Sequence, residues 1–384
     1  MSEILNIKRS IVFDESIAHY EIHFHQPYAS STFNNSDEIR ITVQHQDLCL
    51  LPSKSILHFY GRMRKADGTA VTDTTKMVNM AICHMFEEIR YELNGVEIDR
   101  CKNVGWLIDD VNKLTNNDGY FNVSLPLSLI LGFAEDYNRI IVNAKHELVL
   151  IRSNTDLNAY TVAEGAAVEN VKISIQKIEW LMPYVTMSDR EKIQALNYIT
   201  KDPTISISFR SWELYEYPLL PTTSKHIWAV KTTNQLEKPR FVILGFQTAR
   251  KNEAVRNASE FDHCNIRDVK LFLNSQSYPY GNLNLNIARN QYALMYNLYT
   301  NFQSSYYGKE PEPLLANKKF LATAPLYVID CSKQNESIKS GPVDIRLEFE
   351  STGQFAAQTS AYCLITHDRI IEYNPISSSV KKLI

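Results

Sequence analysis

Three segments of the first half of this chain return, in the same order, in the second half. IRITVQHQDLCLLPSKSILHFYG from Ile39 resembles ISISFRSWELYEYPLLPTTSKHIWAV from Ile205, with Pro52 answering Pro221 at an offset of 169 residues. IRYELN ending at Asn94 resembles VKLFLN ending at Asn274, an offset of 180. ISIQKIEWLMP resembles ITHDRIIEYNP, with Glu179 and Trp180 answering Glu372 and Tyr373 at an offset of 193. The offsets rise along the chain, as insertions accumulating in a second copy would make them. A repeat this long is a whole domain rather than a solenoid or propeller unit, and 384 residues exceed what one core usually serves. The expectation is two tandem units, residues 1–186 and 204–384, joined by a helical linker at 187–203.

Each unit reads as β-structure. IRITVQ sets Ile39, Ile41 and Val43 against Arg40, Thr42 and Gln44, and VDIRLEFE sets Val343, Ile345, Leu347 and Phe349 against Asp344, Arg346, Glu348 and Glu350. Leu57, Phe59, Gly61 and Met63 alternate in the same way with His58, Tyr60, Arg62 and Arg64. A strand turns such a pattern into one wet and one buried face, whereas a helix would bury the charges. Asn94 and Gly95 predict a type I′ hairpin turn, since both tolerate positive φ. Helix signals are fewer: Ser188 and Glu191 at capping-box spacing, with Ile193, Leu196 and Ile199 on one side, predict a helix over 189–200. Residues 287–302 and 104–114 are further candidates. Many short strands with a few helices in loops make an all-β fold of two sandwiches, about eight strands each.

Composition narrows the function. Hydrophobic residues at 44% and charged ones at 22% suit a soluble globular protein. No apolar run reaches the roughly 20 residues needed to span a bilayer, and the opening MSEILNIKRS lacks a signal-peptide core, so synthesis in the cytosol is expected. Six scattered cysteines without a CxxC pair are expected to be buried free thiols, and the N-x-[ST] matches at Asn34, Asn122, Asn257 and Asn335 to be chance. A net charge of −3 carries no basic footprint for sequence-specific nucleic-acid binding. The halves differ: residues 1–200 hold 19 Lys and Arg against 26 Asp and Glu, net −7, and residues 201–384 hold 21 against 17, net +4. Opposite charges suit a ring in which the first half of one subunit meets the second half of its neighbour.

Nucleotide, zinc-protease and hydrolase signatures (GxGxxG, the P-loop, HExxH, GxSxG) are absent. His23 and His25 would share a strand face with His19 nearby; with no Cys or carboxylate read at ligand spacing, a polar face is expected there rather than a metal site. The acid pairs Glu87/Glu88 and Asp109/Asp110 read as solvated faces. No catalytic residue, cofactor or metal ligand is expected. The aromatic clusters WELYEYPLL and SSYYGKEPEPLL fit either packing or anchoring at subunit contacts, where Tyr and Trp are enriched. Tyr306 and Tyr307 lead that list of interface candidates, followed by Trp212, Tyr215 and Tyr217.

The chain resembles the double jelly-roll major capsid protein family, particularly copies related to Polintons and similar DNA viruses found in arthropod genomes. The resemblance spans almost the whole chain and is carried by FEEIRYELNGVEIDRC (86–101), GFAEDYNRIIVNAKHELVLIRS (132–153), SFRSWELYEYPLL (208–220), FQSSYYGKEPEPLL (302–315) and IDCSKQNESIKS (329–340). It implies two tandem eight-stranded jelly rolls and a homotrimer whose six rolls form a pseudo-hexagonal tile of an icosahedral virion capsid. It also implies neighbouring capsomers and a separate penton protein as partners; membrane contact stays open. The connections are mostly short, so a low outer crown is expected. A competing reading is a secreted or cytosolic tandem β-sandwich that binds or cleaves glycans, which would also account for exposed Tyr and Trp.

Overall fold

Alternating apolar residues are buried as the pattern predicts. Ile39, Ile41 and Val43 are at most 1% exposed, as are Leu57, Phe59 and Met63, while Val343, Ile345, Leu347 and Phe349 stay at or below 3%. The computed structural model describes residues 17–28, 33–44, 49–102, 114–232, 238–274, 276–333 and 343–383. The first half contains β1 (Ile17–His25), β2 (Glu38–Gln44), β3 (Cys49–Leu50), β4 (Ile56–Lys65), β5 (Thr75–Met77), β6 (Phe86–Leu93), β7 (Val96–Lys102), β8 (Tyr120–Pro126), β9 (Ile141–Val142), β10 (Lys145–Arg152), β11 (Tyr160–Val162) and β12 (Val171–Met187). Helices α1 (Ala81–His84) and α2 (Gly132–Asp136) sit in its connections, and α3 (Asp189–Ile199) leads to the second half. There follow β13 (Ile205–Tyr217), β14 (Lys225–Thr232), β15 (Pro239–Thr248), β16 (Ile266–Leu273), β17 (Gln276–Tyr278), α4 (Ala293–Tyr307), α5 (Asn317–Thr323), β18 (Tyr327–Asp330), β19 (Asp344–Ser351), β20 (Thr359–Tyr373) and β21 (Val380–Lys382).

The two halves share one topology. With β3, β5, β9, β11 and β21 set aside as short additions, each half has eight principal strands. One antiparallel sheet runs first-eighth-third-sixth (β1-β12-β4-β8 and β13-β20-β15-β18). The facing sheet runs second-seventh-fourth-fifth (β2-β10-β6-β7 and β14-β19-β16-β17). This double Greek-key order makes each half a jelly roll, called roll one and roll two below.

The internal matches fare unequally against this topology. The Asn94 and Asn274 segments are both fourth strands, and the third match pairs both eighth strands. The first match does not hold: Ile39 lies on β2, a second strand, and Ile205 on β13, a first strand. Neighbouring strands of a sandwich carry the same alternation, so sequence likeness alone cannot tell them apart. Nor do the offsets rise steadily. Between first residues of equivalent strands they are 188 at the first, 180 at the fourth, 207 at the sixth and 188 at the eighth. Roll two has α4 and α5 inserted between its fifth and sixth strands, and roll one has the longer link between seventh and eighth.

The Asn94–Gly95 turn forms with φ of 51° and 78°, as a type I′ turn requires. Helix α3 forms where expected, but Ser188 at its N-cap makes no side-chain cap bond. Its apolar residues also divide: Ala195, Tyr198 and Ile199 line a cavity with Ile205 and Tyr373, leaving Ile193 and Leu196 at 60% and 51% exposure. The helix expected at 287–302 begins later, because Asn290 in the left-handed region ends a single 3-10 turn before α4 starts at Ala293. The 104–114 candidate lies, except for its last residue, outside the described residues.

Candidate assembly surfaces

Roll one's core extends beyond roll one. It includes Ile207, Phe209, Ile371 and Tyr373 from the second half, so the two rolls share buried apolar surface. The chain makes this close approach at Gly132, where an added Cβ would lie 1.7 Å from the Arg210 carbonyl oxygen. Only glycine lets α2 lie against β13 at this distance.

Around that contact a polar clamp closes. The backbone N–H and Nε of Arg210 each donate to the Asp136 carboxylate at 2.8 Å, and its Nη1 donates to the Tyr306 carbonyl at 2.7 Å. The guanidinium lies 3.7 Å above the Tyr306 ring. Trp212 Nε1 donates to the Tyr306 hydroxyl, which donates to Glu135, both at 3.0 Å. Burial pushes the Tyr306 hydroxyl and the Glu135 carboxyl up, so this bond joins a neutral phenol to a reluctantly charged acid. Beneath it Asp99, 1% exposed, accepts from the Phe133 N–H at 2.9 Å and the Ser211 hydroxyl at 2.7 Å. Its pKa is raised by burial against the pull of those bonds and of Arg369. Arg369 in turn donates to the Ile98 carbonyl at 3.1 Å.

Further bonds lace the seam from end to end. The Tyr373 hydroxyl donates to the Asn143 carbonyl at 2.9 Å, Asn143 Nδ2 to Pro375 at 2.6 Å and Asn94 Nδ2 to Ser378 at 2.8 Å. At the opposite end Ser259 donates to the Asn79 carbonyl at 2.8 Å and shares a 3.1 Å hydrogen bond with His84. A cavity of about 80 Å³ remains there, lined by His84, Gln247, Glu216 and Lys251 among others.

The aromatic candidates are therefore placed differently from one another. Tyr306 is 6% exposed and holds the intrachain joint, so it is not the exposed anchor the sequence suggested: its ring is spent against Arg210, Phe241 and Phe302. Trp212, Tyr215 and Tyr217 are half-buried on β13, the first bonded to Tyr306, the second to Glu213, the third packed on Trp228. Tyr307 stays 48% exposed, and burial with the Glu135 charge pushes its hydroxyl up to about 12. Sequence reasoning did not single out Gly132, Asp136, Arg210 or Asp99. All four lie in segments that carry the family resemblance, but nothing local marks them out: Arg210 sits in an alternating strand like any solvated arginine.

On β1, Glu21 accepts from His19 at 3.3 Å and from His23 at 2.6 Å, a carboxylate the spacing argument overlooked. His25 shares a 3.0 Å hydrogen bond with the Tyr184 hydroxyl. Among the described residues no group of three or more His, Cys, Asp or Glu side chains is placed to hold a metal ion. Glu87 is exposed, Glu88 is buried and ion-paired with Arg90 at 3.0 Å, and Asp109 and Asp110 lie outside the described residues.

A family model for a double jelly roll-like domain matches residues 101–371. No curated protein matches the chain. Among solved structures, the Sputnik virophage cryo-EM structure shares the fold with a TM-score of 0.63 at 11% identity, covering 99% of this chain and 91% of that one. The mavirus major capsid protein aligns at a TM-score of 0.56 and 11% identity, over 98% and 92% of the two chains. The Faustovirus major capsid protein aligns at 0.57 and 10% identity, over 96% and 94%.

Proposed function

The chain belongs to the double jelly roll-like family, and from that premise we propose that it is a major capsid protein, a shell subunit of a virion. The observation that carries the reading is the joint between the rolls. Two sandwiches of one topology are locked side by side by a shared core and a buried polar clamp, which makes the chain a rigid two-roll tile. The mavirus and Faustovirus structures that share this fold over nearly the whole chain are those of major capsid proteins, which favours this role over glycan binding or cleavage.

Three such tiles, joined head to tail, form the pseudo-hexagonal homotrimer of this reading, and its further partners are neighbouring capsomers and a separate penton protein. The role asks for shape, edge contacts and stability, and for no reacting group. The test is light scattering and electron microscopy of the purified protein: trimers with a hexagonal outline, or shells, are expected. A protein that remains monomeric and is retained by a glycan column would refute the assignment.

A further inference from the structure

The cavity at the Ser259 end of the seam is built from both rolls: His84, Ser153 and Asn158 come from roll one, and Glu216, Gln247 and Lys251 from roll two. Its wall holds acceptors without matching donors. Ser259 gives its hydroxyl hydrogen to the Asn79 carbonyl, so the imidazole Nε2–H of His84 donates the 3.1 Å bond between the two side chains, and Nδ1 is left as a bare acceptor. Burial keeps this ring neutral, with its pKa held down at about 4. Gln247 is 8% exposed and donates from Nε2 to the Ala258 and Glu260 carbonyls at 2.7 and 2.9 Å. Its Oε1 has no partner among the described residues. Neighbouring donors are already engaged: Ser153 Oγ with the His84 carbonyl at 3.1 Å, Asn158 Nδ2 with Asn252 at 3.2 Å, and Lys251 Nζ with both oxygens of Glu216 at 2.8 and 2.7 Å. A buried acceptor left this way calls for a donor from outside the chain.

We propose that this cavity is the head of a binding site for a short-chain primary ammonium ion. An ammonium carries three N–H donors and no acceptor, the complement of His84 Nδ1, Gln247 Oε1 and the Glu216 carboxylate. Water fits less well, since it brings acceptors to a wall whose donors are engaged. The volume of about 80 Å³ suits the head group, and a second cavity of about 240 Å³ shares Glu216, Gln247, Lys251 and Tyr362 with the first and adds Pro218 and Leu219. An alkyl chain thus has apolar wall to follow outward. The bound ammonium takes the place of Lys251 on Glu216: the lysine side chain is 50% exposed against 19% for the glutamate, so the lysine is free to move into water while the carboxylate keeps a cation. Because both rolls supply acceptors, occupancy ties them together at the end of the seam opposite Tyr373. The proposal is independent of the shell reading.

The experiment titrates the full chain calorimetrically with n-butylammonium chloride and, at the same ionic strength, with tetramethylammonium chloride, a cation that has no N–H. Saturable binding of butylammonium alone is expected, with a thermal melt that rises with its concentration. Glu216→Gln should weaken that binding by about tenfold or more. Lys251→Met removes the competing ammonium at an exposed position and should tighten it by about two- to fivefold. Equal binding of the two cations, no saturable binding, or a Lys251→Met protein that binds no more tightly than the unsubstituted one overturns the proposal. So does a density map of the protein with butylammonium that shows only water in the cavity, a measurement that needs no variant to fold.

Discussion

At the scale of single residues, neighbours in sequence do different work. Tyr306 and Tyr307 are adjacent, but one is locked inside the chain and the other stands at its surface. Tyr306→Ala removes a buried ring together with the acceptor of Trp212 and the partner of Glu135, and should cost about 3 kcal/mol or more in urea denaturation of the monomer. Tyr307→Ala should leave that midpoint within about 0.5 kcal/mol and reduce trimer yield in size-exclusion chromatography. His146 supplies a pH dependence. It is fully buried, shares a hydrogen bond with the Tyr91 hydroxyl through Nδ1, and is held by burial at about 3, well below the usual 6.5. The unfolded chain therefore binds a proton that the folded chain refuses. Its contribution is complete above pH 6.5 and is lost as pH falls towards 3, at up to roughly 1.4 kcal/mol per pH unit. Urea titrations at pH 7 and 4.5 should show a smaller loss of stability in His146→Gln than in the unsubstituted protein.

At the scale of elements, the clearest evidence of duplication is a hydrogen-bond pattern at the end of the fourth strand. Asn94 donates its N–H to the Lys145 carbonyl at 2.8 Å and accepts the Lys145 N–H on Oδ1 at 2.7 Å. Asn274 does the same to Asp344, at 3.0 and 2.8 Å. Both are left-handed, with φ of 51° and 54°, and both bracket the start of the seventh strand. Asn94→Ala and Asn274→Ala each lose one acceptor and gain left-handed strain, together about 2 kcal/mol, and Asn94→Ala loses in addition the donor to the Ser378 carbonyl. The glycine variants relieve the strain but not the lost bond, so chemical denaturation should rank Asn above Gly above Ala at both positions. A different order at the two would argue against equivalence.

At the scale of the whole molecule, the opposite charges of the halves bear on assembly more than on folding. Exposed ion pairs contribute about 0–1 kcal/mol each and are screened over about 8 Å at physiological ionic strength, whereas encounter rates respond to the summed field. Raising salt should therefore slow trimer formation from refolded monomer and leave finished trimers largely intact. Stopped-flow light scattering across an ionic-strength series checks this, and a salt-insensitive rate would remove charge from the account.

The sequence alone determined the alternating strands, the tight Asn94 turn and the two-sandwich class, because alternation, turn chemistry and duplicated motifs are local signals; the family was legible only as a resemblance along particular segments. Two of its three internal matches landed on equivalent strands; the third slipped to a neighbour because every strand of a sandwich carries the same period. Which aromatic faced inward was decided only in three dimensions. Tyr306 and Tyr307 are alike in composition and position, and nothing local distinguishes the one that meets Arg210 across the joint. The joint itself was also invisible in the chain, since it depends on Gly132 reaching the backbone of a strand more than seventy residues away. Such a contact leaves no periodic trace: it selects single residues by what the other roll brings to them.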